Sequence, residues 1–454
     1  MRICFLNLPY AKRIIRRYNC TYYAPNFLFP PLELMYLASI VKSWKKTECV
    51  LIDAVAESLS LDKVIKCLKA YPPRLLVFMA GIETFSEDMR AISVIKVSLA
   101  ELKIAAIGYL PSISPKKTLE ENPALDYIIM DEPELSFSEL YDCLENNSFP
   151  ADLPGTAYRD KGNIRIGRRR ERIKDLDMLP FPNRGLLQQG LYNEFLLKKP
   201  FTTIQTSRGC PYECGFCIPA YGREIVYRSV DNVYQEIEEV AAKYKIKTIR
   251  FMDDTFTLNK NRLLELCGFV LKRNLRFAWS CLSRVDTLDE EMLGIMRKSG
   301  CVRIYLGIET ASERLLKLYR KSYSPGLIKS QVKLIKEWHI ETVGFFIVGG
   351  PQSREEFKQD VSLAKEIGLD YIVVEKLTPY PGTDIYEKAK DFIPRDEAVR
   401  REKNFYRAFY LRPGYVLGKM GRLFSNLKDA SGGWKSLKGY LNKTQNDSPR
   451  PELI

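Results

Sequence analysis

The stretch SRGCPYECGFCIP, residues 207–219, contains three of the chain's eleven cysteines. Cys210, Cys214 and Cys217 lie four and then three positions apart, with no histidine or further cysteine near them. Three thiolates can bind three irons of a [4Fe–4S] cluster, which leaves the fourth iron open to another ligand. A zinc site would need a fourth protein ligand, which this stretch lacks. We therefore expect an iron–sulfur cluster here, in preference to three unrelated cysteines in a loop.

The composition restricts the chemistry that the chain can perform. Its 454 residues are enough for about two to four domains, and its apolar and charged fractions are those of a globular protein. The single histidine, His339, excludes a histidine-based triad, a multi-histidine zinc site and a two-histidine iron site. The net charge of +14 is compatible with nucleic acid, anionic lipid or acidic substrates, and equally with a solvated basic surface.

The other cysteines and the apolar runs indicate the cellular compartment of the protein. Most of the scattered cysteines are expected to be small buried hydrophobic side chains: Cys4, Cys20, Cys49, Cys67, Cys143, Cys267, Cys281 and Cys301. The first residues, MRICFLNLPY, predict a strand and not a secretory leader, and no apolar run reaches the ~18 residues that cross a bilayer. We expect a cytoplasmic protein, in which clustered thiols more often bind metal than form disulfides.

Short apolar runs alternate with helical patterns upstream of the three cysteines, over residues 1–145. This alternation predicts a doubly wound parallel α/β sheet, in which ligands bind beyond the carboxyl ends of the strands. Residues 146–198 are rich in proline, glycine and charge, and they predict a linker with one small hairpin around RDKGN.

The alternation resumes over residues 199–385, where six strand patterns predict a partial TIM-type barrel. The three cysteines follow the first of these strands, and functional side chains are expected at the carboxyl ends of barrel strands. Residues 386–442 are basic and aromatic and predict a helical C-terminal segment, and residues 443–454 have the composition of a disordered tail.

The motif CPYECGFC resembles the C-x3-C-x2-C signature of the radical S-adenosylmethionine enzymes. The similarity continues in the strand ends RFMDDTF, WSCLSRVD, YLGIETASERLLKLYRK, FFIVGGPQ and LTPYPGTD. The upstream domain, with LPGTAYRDKGNIR and DLDMLPFPNR, resembles the subgroup with a cobalamin-binding domain, so the resemblance covers nearly the whole chain. It implies a Rossmann-like cobalamin-binding domain over residues 1–145 and a radical S-adenosylmethionine barrel over residues 199–385.

The resemblance implies that the [4Fe–4S] cluster is held by Cys210, Cys214 and Cys217. Its open iron would bind the amine and carboxylate of S-adenosylmethionine. Phe216 would lie near the adenine, and Asp253 and Asp254 would receive the ammonium group of the cofactor, which suits two adjacent carboxylates. The alternative for the two aspartates is the N-cap of a helix.

Three further strand ends are implied in binding S-adenosylmethionine. Arg284 would pair with the cofactor carboxylate through a planar bidentate contact, and the alternative is an ion pair with Asp286. Glu309 would reach the ribose hydroxyls. Gly349 and Gly350 would allow the cofactor close to the backbone.

The resemblance also implies cobalamin in the first domain, with candidate contacts at Asp53, Glu83, Thr84, Gly108 and Tyr109. The chain departs from the histidine-on pattern, because Val55 stands where the lower-ligand histidine would be and Ala80 stands in the S-x-L motif. Tyr109 replaces the second of two glycines and either crowds or closes the slot for the nucleotide tail. The alternative is a vestigial domain that keeps the fold without the cofactor.

The implied reaction is reductive cleavage of S-adenosylmethionine and abstraction of hydrogen from an unactivated carbon, leading to cobalamin-dependent C-methylation of a small-molecule or lipid-like substrate. The alternative is radical ring formation or rearrangement, with or without cobalamin. A methylthiotransferase acting on tRNA would use the basic charge and a second cluster on Cys4, Cys20 and Cys49. The intact cluster cysteines argue against a non-catalytic scaffold.

The resemblance further implies an electron donor such as flavodoxin or ferredoxin. No nucleic-acid partner is expected. The basic, aromatic C-terminal segment allows a peripheral contact with a membrane, and the alternative is a helical cap that packs on the barrel.

Overall fold

The computed structural model of the protein describes residues 1–23, 26–150, 152–389 and 392–415. These residues form two compact units, Met1–Glu194 and a second one that begins at Phe195. Within the described residues, no helix is long and apolar enough to cross a membrane.

The strands and helices of the first unit are, in chain order, β1 (Ile3–Asn7), β2 (Ile14–Arg17), β3 (Cys20–Tyr23), α1 (Leu32–Ser43), β4 (Cys49–Asp53), α2 (Leu61–Ala70), β5 (Leu75–Met79), α3 (Phe85–Ser98), β6 (Lys103–Ile107), α4 (Tyr109–Ile113), α5 (Pro115–Glu121), β7 (Tyr127–Ile129), α6 (Pro133–Asn146), β8 (Thr156–Asp160) and β9 (Asn163–Ile166).

The first sheet has the order β4-β1-β5-β6-β7-β8-β9. Strands β4, β1, β5, β6 and β7 pair with their neighbours in parallel. At one edge of the sheet, β8 pairs antiparallel with β7, and β9 pairs antiparallel with β8. The chain goes from β1 to one neighbour, β4, and then to the other, β5, so the topological switch point lies between β1 and β5. The predicted doubly wound α/β fold is confirmed.

Two hairpins modify this picture. Strands β2 and β3 pair with each other directly after β1, in a region where the sequence predicted no strand, and Ile14 and Ile15 of β2 are buried. Strands β8 and β9 form the hairpin expected around RDKGN, but they extend the first sheet instead of lying in a free linker. The first unit therefore includes most of residues 146–198.

The strands and helices of the second unit are β10 (Phe201–Ile204), β11 (Ser207–Arg208), β12 (Val226–Tyr227), α7 (Val230–Tyr244), β13 (Thr248–Phe251), α8 (Lys260–Lys272), β14 (Ala278–Arg284), α9 (Glu290–Lys298), β15 (Cys301–Glu309), α10 (Glu313–Leu318), α11 (Pro325–Glu337), β16 (Glu341–Val348), α12 (Arg354–Glu366), β17 (Tyr371–Lys376) and α13 (Arg395–Tyr410).

The second sheet follows chain order, β10-β13-β14-β15-β16-β17, and all of its neighbouring pairs are parallel. Strands β10 and β17 do not pair with each other, so the barrel is open between them. The six predicted strands are all present, and the predicted partial barrel is confirmed. Because the strands are parallel, their carboxyl ends meet at one edge, where the loops with functional side chains begin.

Several helices of this unit begin at a short polar residue whose side chain accepts a backbone N–H bond three residues on. These residues are Ser229, Asn259, Asp289, Ser312, Ser324 and Ser353. Such caps satisfy donors that the first helical turn leaves unpaired, so each cap fixes where the preceding loop ends.

Helix α13 covers the open edge of β17 with tyrosine hydroxyls. The backbone N–H groups of Ile372 and Val374 donate to the hydroxyls of Tyr410 at 3.1 Å and Tyr406 at 2.9 Å. The hydroxyl of Tyr415 donates to the carbonyl of Asp370 at 2.7 Å. The described part of the predicted C-terminal segment is thus helical and packs on the barrel, while the rest of residues 386–442 and the tail 443–454 lie outside the described residues.

Candidate active site

The three cysteines lie in one loop that begins directly after the small strand β11. Pairing of β11 with β12 brings the two ends of the loop together, and Cys210 N donates to Gly222 O at 3.1 Å. A tight turn connects the other two cysteines, because Cys217 N donates to Cys214 O at 3.0 Å. The loop therefore has a fixed base and a folded tip.

This loop fits a cluster held by three cysteines. Among the described residues, no three histidine, cysteine, aspartate or glutamate side chains converge as a single-ion site requires. A [4Fe–4S] cluster makes a different demand, since each thiolate binds a different iron and the sulfurs surround the cluster. Burial raises the pKa of the Cys210 thiol, and the nearby Asp254 and Cys214 raise it further. The Cys210 thiol therefore keeps its proton at neutral pH until a metal displaces it.

The tip of the loop packs against the segment that follows α10. Gly215 N donates to Tyr319 O at 3.1 Å, and Gly215 O accepts from Ile385 N at 3.2 Å. A Cβ atom on Gly215 would lie 3.1 Å from Leu318 O, so glycine allows this close approach. Phe216 packs edge-on against Tyr319 with ring centroids 5.3 Å apart. The position of Phe216 near an adenine stays a prediction.

The two aspartates after β13 have different surroundings. Asp253 is buried, and it accepts bonds from Thr206 N at 2.6 Å, Thr206 Oγ1 at 2.5 Å and Ser207 Oγ at 2.8 Å. It therefore joins the ends of β10 and β13 and holds the start of the cysteine loop. Asp254 is only half-buried and acts electrostatically on Cys210. Contact of either aspartate with an ammonium group stays a prediction.

Arg284, at the end of β14, forms the ion pair with Asp286 that the sequence left as an alternative, at 2.7 Å. Its guanidinium also lies 3.7 Å from Sγ of Cys214 and 3.6 Å from the ring centroid of Tyr212. Burial lowers the pKa of Arg284, but hydrogen bonds and charge from Asp286 outweigh burial and raise it. Arg284 is thus part of the cysteine site, with its carboxylate-matching edge already occupied.

Glu309, at the end of β15, forms a buried ion pair with Lys321 at 2.9 Å. Glu309 has a left-handed backbone, φ +66°, which is uncommon for a residue with a side chain. Burial lowers the pKa of Lys321, but the Glu309 carboxylate outweighs burial and raises it. The ammonium group also lies 5.5 Å from the ring centroid of Phe216. A contact of Glu309 with ribose hydroxyls stays a prediction.

Gly349 and Gly350, after β16, both have a positive φ, +96° and +59°. A Cβ atom on Gly350 would lie 2.4 Å from Cδ2 of Leu377, and one on Gly349 would lie 3.1 Å from Cβ of Ala398. The protein itself fills the space beside these glycines. Their need for glycine therefore has a structural cause, and close approach of a cofactor stays a prediction.

The predicted cobalamin residues of the first unit are largely engaged by the protein. Asp53 is fully buried and accepts from Asn7 Nδ2 at 2.7 Å, Ala56 N at 3.0 Å and Tyr192 Oη at 2.9 Å. Burial raises the pKa of Asp53, although these hydrogen bonds oppose the shift. Thr84 Oγ1 donates to Asp88 Oδ2 at 2.8 Å. Asp53 and Thr84 therefore stabilise the unit and are not at its surface.

The hairpin β2–β3 contacts the remaining candidates. Glu83 accepts from Thr21 N at 2.9 Å, and Tyr109 N donates to Tyr18 O at 3.1 Å. Gly108 has φ +127°, and a Cβ atom there would lie 2.6 Å from Ala80 O. The fit to cobalamin is thus partial: contacts of Gly108 and the half-buried Tyr109 with the cofactor stay a prediction, and Val55 stands where the histidine below a cobalt would be.

Among the described residues of the first unit, the cysteines proposed for the second cluster of a methylthiotransferase do not converge. Cys4 lies within β1 and Cys49 within β4, and both are buried. Cys20 belongs to β3 of the hairpin. Cys4 and Cys49 are held inside strands of a buried sheet and Cys20 lies on the separate hairpin, so the three thiols do not share a loop that could wrap a cluster.

Sequence reasoning missed Lys321, Tyr319 and Tyr323. All three follow β15 in the stretch LYRKSY, and Tyr323 donates from its hydroxyl to Gly307 O. The signal was the lysine between two tyrosines, since a lysine is rarely buried without a partner, and Lys321 has that partner in Glu309.

Residues 204–364 match the model of the Radical SAM superfamily. The chain is 32% identical over 363 residues to an uncharacterized methyltransferase of Pyrococcus horikoshii. The aligned region covers 79% of this chain and 78% of that protein. It is 25% identical over 416 residues to the anaerobic magnesium-protoporphyrin IX monomethyl ester cyclase of Rubrivivax gelatinosus. This aligned region covers 86% of this chain and 75% of the cyclase.

Two solved structures share the fold. The radical S-adenosylmethionine methyltransferase TsrM of Kitasatospora setae has a TM-score of 0.67 at 17% identity, over 85% of this chain and 74% of that one. The cobalamin-dependent S-adenosylmethionine radical enzyme OxsB has a TM-score of 0.65 at 19% identity. The match with OxsB covers 89% of this chain and 56% of the OxsB chain. At these identities, the likeness establishes the fold alone.

Proposed function

The chain belongs to the radical S-adenosylmethionine superfamily, and from that premise we propose a cobalamin-dependent methyltransferase that acts on carbon in a small-molecule or lipid-like substrate. Membership makes it an enzyme that uses a [4Fe–4S] cluster and S-adenosylmethionine. The three-cysteine loop at the carboxyl end of the open barrel carries the proposal. Methyl transfer is supported by the methyltransferase relative, and cobalamin by the fold that the first unit shares with OxsB and TsrM.

When bound, these groups supply radical abstraction of hydrogen and a carrier for the methyl group. Residues of the chain would hold and orient them. Cys210, Cys214 and Cys217 would bind the cluster, and Asp254 would receive the ammonium of S-adenosylmethionine. Phe216, packed on Tyr319, would exclude water beside the loop.

The experiment is anaerobic reconstitution of the full chain with iron and sulfide, with and without hydroxocobalamin, followed by desalting and metal analysis. We expect about four irons per chain and about one cobalt. Cys214→Ala should lose the iron and S-adenosylmethionine cleavage. Cys267→Ala, which removes a thiol buried in the core, is the matched control and should keep both. Full iron and cleavage in Cys214→Ala would contradict the proposal.

A second candidate, ring formation, is favoured by the 25% identity to the cyclase of Rubrivivax gelatinosus. Cobalt content separates the two candidates. Four irons without cobalt would demote the first unit to a scaffold or substrate site and would favour ring formation or rearrangement.

The reaction also needs a reductant, and we propose a small electron-transfer protein such as flavodoxin or ferredoxin. A cytoplasmic location is proposed because every cysteine of the described residues is free, although several are partly exposed.

A further inference from the structure

Arg284 lies against the cysteine loop in a way that a contact with a cofactor carboxylate does not explain. Its guanidinium donates through Nε to Asp286 Oδ1 at 2.8 Å and through Nη2 to Asp286 Oδ2 at 2.7 Å. This bidentate pair takes the edge that matches a planar carboxylate. The third nitrogen, Nη1, remains, and it lies 3.7 Å from Sγ of Cys214.

The direction of Nη1 is fixed from several sides. The guanidinium stacks on Tyr212 at 3.6 Å from the ring centroid and lies 5.5 Å from that of Tyr323. Ser322 Oγ accepts from Nη2 at 3.2 Å and donates to Asp286 Oδ2 at 3.0 Å. Arg284 is only 5% exposed, so its charge is weakly screened by solvent.

We propose that Arg284 is a positioning residue for the cluster, whose Nη1 donates a hydrogen bond to the Cys214 sulfur and stabilises the reduced cluster. The inference rests on the proposed function, because it needs a cluster on Cys214. A donor and a positive charge beside a ligand sulfur favour the state with one more electron, which raises the reduction potential.

The test uses the full chain reconstituted with iron and sulfide, without S-adenosylmethionine or cobalamin, so that cofactor binding does not contribute. One-electron reduction by dithionite is followed by electron paramagnetic resonance at poised potentials. Arg284→Gln should keep about four irons. At a given potential, its ratio of reduced to oxidised cluster should fall about tenfold, which equals ~59 mV for a one-electron couple.

A second readout reports the hydrogen bond itself. Electron–nuclear double resonance of the reduced cluster, before and after exchange into D2O, should show a coupled exchangeable proton in the wild type that Arg284→Gln lacks. A purely structural role of Arg284 would not change this signal.

Arg320→Gln is the matched control, because it also removes one positive charge beside the loop. Arg320 pairs with Glu213 at 3.7 Å and Asp384 at 2.6 Å, but it is 54% exposed and does not contact a cluster cysteine in the described structure. Its effect on the ratio should stay below about twofold, since solvent screens exposed charges.

An iron-replete Arg284→Gln with the wild-type potential and proton coupling would overturn the inference and leave the proposed function intact. Failure of the wild type to bind iron, or full iron in Cys214→Ala, would instead refute the proposed function. If Arg284→Gln loses its cluster, Arg284→Lys decides, because one ammonium cannot serve both Asp286 and Cys214. A reduction potential of Arg284→Lys below the wild-type value would support the inference, and the wild-type potential would overturn it.

Discussion

The buried pair of Glu309 and Lys321 is the residue-scale feature whose loss should be most costly. Both side chains are less than a tenth exposed, at 8% and 5%. Lys321→Met would leave Glu309 buried without its cation, and removing one partner of a buried pair costs about 3–5 kcal/mol. We expect a decrease of that order in the free energy of unfolding, measured by urea denaturation.

The double variant Glu309→Gln/Lys321→Met should recover much of this loss, because neither remaining side chain carries a buried charge. Lys329→Met is the control, since Lys329 forms an exposed pair with Glu366 that should contribute less than about 1 kcal/mol. Equal losses in Lys321→Met and Lys329→Met would show that the buried pair has no special role.

At the scale of residues, the sequence predicted the cysteine loop well and the ion-pair partners of individual side chains less well. The cysteine spacing identified the loop, because ligand spacing is a local property. The pair of Arg284 with Asp286 was foreseen as an alternative, since the two residues are close in sequence. Lys321 was missed, because its partner Glu309 lies on a different element and only the fold brings them together.

At the scale of elements, the tyrosines of α13 replace a missing strand beside β17. Tyr406→Phe and Tyr410→Phe would leave the N–H groups of Val374 and Ile372 without acceptors, which costs about 1–3 kcal/mol for each buried donor. We expect faster hydrogen–deuterium exchange at the matching amide in each variant, measured residue by residue.

Tyr415→Phe provides the matched control for these two variants. The Tyr415 hydroxyl donates to the Asp370 carbonyl, so its removal leaves no amide hydrogen without an acceptor. Amides of β17 should therefore keep their wild-type exchange in Tyr415→Phe. Unchanged exchange in Tyr406→Phe and Tyr410→Phe would mean that the hydroxyls do not protect the strand edge.

Asp360 should make the free energy of unfolding depend on pH. It lies on α12 and accepts bonds from Thr310 Oγ1 and Ala311 N, so it fixes the loop after Glu309. Burial raises the pKa of Asp360 to about 7, against the lowering effect of these bonds. The folded protein therefore holds a proton that the unfolded chain releases near pH 4, and stability falls as pH rises towards 7.

Asp360→Asn lacks this titration, so the free energies of unfolding of the two proteins should diverge from pH 5 to pH 8. The wild type should lose on the order of a few kcal/mol relative to the variant over that range. Urea denaturation at several pH values measures the difference. Parallel pH profiles for the two proteins would contradict the raised pKa.

At the scale of the whole molecule, the alternation of strands and helices was predictable from the sequence, and the limits of the first unit were not. Alternating apolar runs and helical patterns determine a parallel α/β sheet, because each run is buried on both faces. The hairpin β8–β9 looked like part of a linker, because its second strand, β9, is largely exposed. Its place depends on tertiary pairing with β7, which local sequence does not encode.

The arginine-rich stretch IGRRRERIK shows that the partners of surface charges, too, cannot be predicted from local sequence. It contributes to the net charge of +14, which by itself is compatible with an acidic partner. In the structure, its arginines reach back within the first unit, where Arg169 pairs with Asp131, Arg170 with Glu139 and Arg172 with Glu132. This part of the net charge therefore has a structural use.

These contacts predict where the first unit can be cut. The fragment 1–194 contains the complete first sheet, the arginine pairs and the bond from Tyr192 to the buried Asp53, so it should fold alone and unfold cooperatively. The fragment 1–150 would leave β7 as an open edge and Asp53 short of one donor, so it should lack near-ultraviolet circular dichroism and a cooperative melt. A cooperative melt of fragment 1–150 equal to that of 1–194 would instead place the boundary near residue 145, as the sequence pattern first suggested.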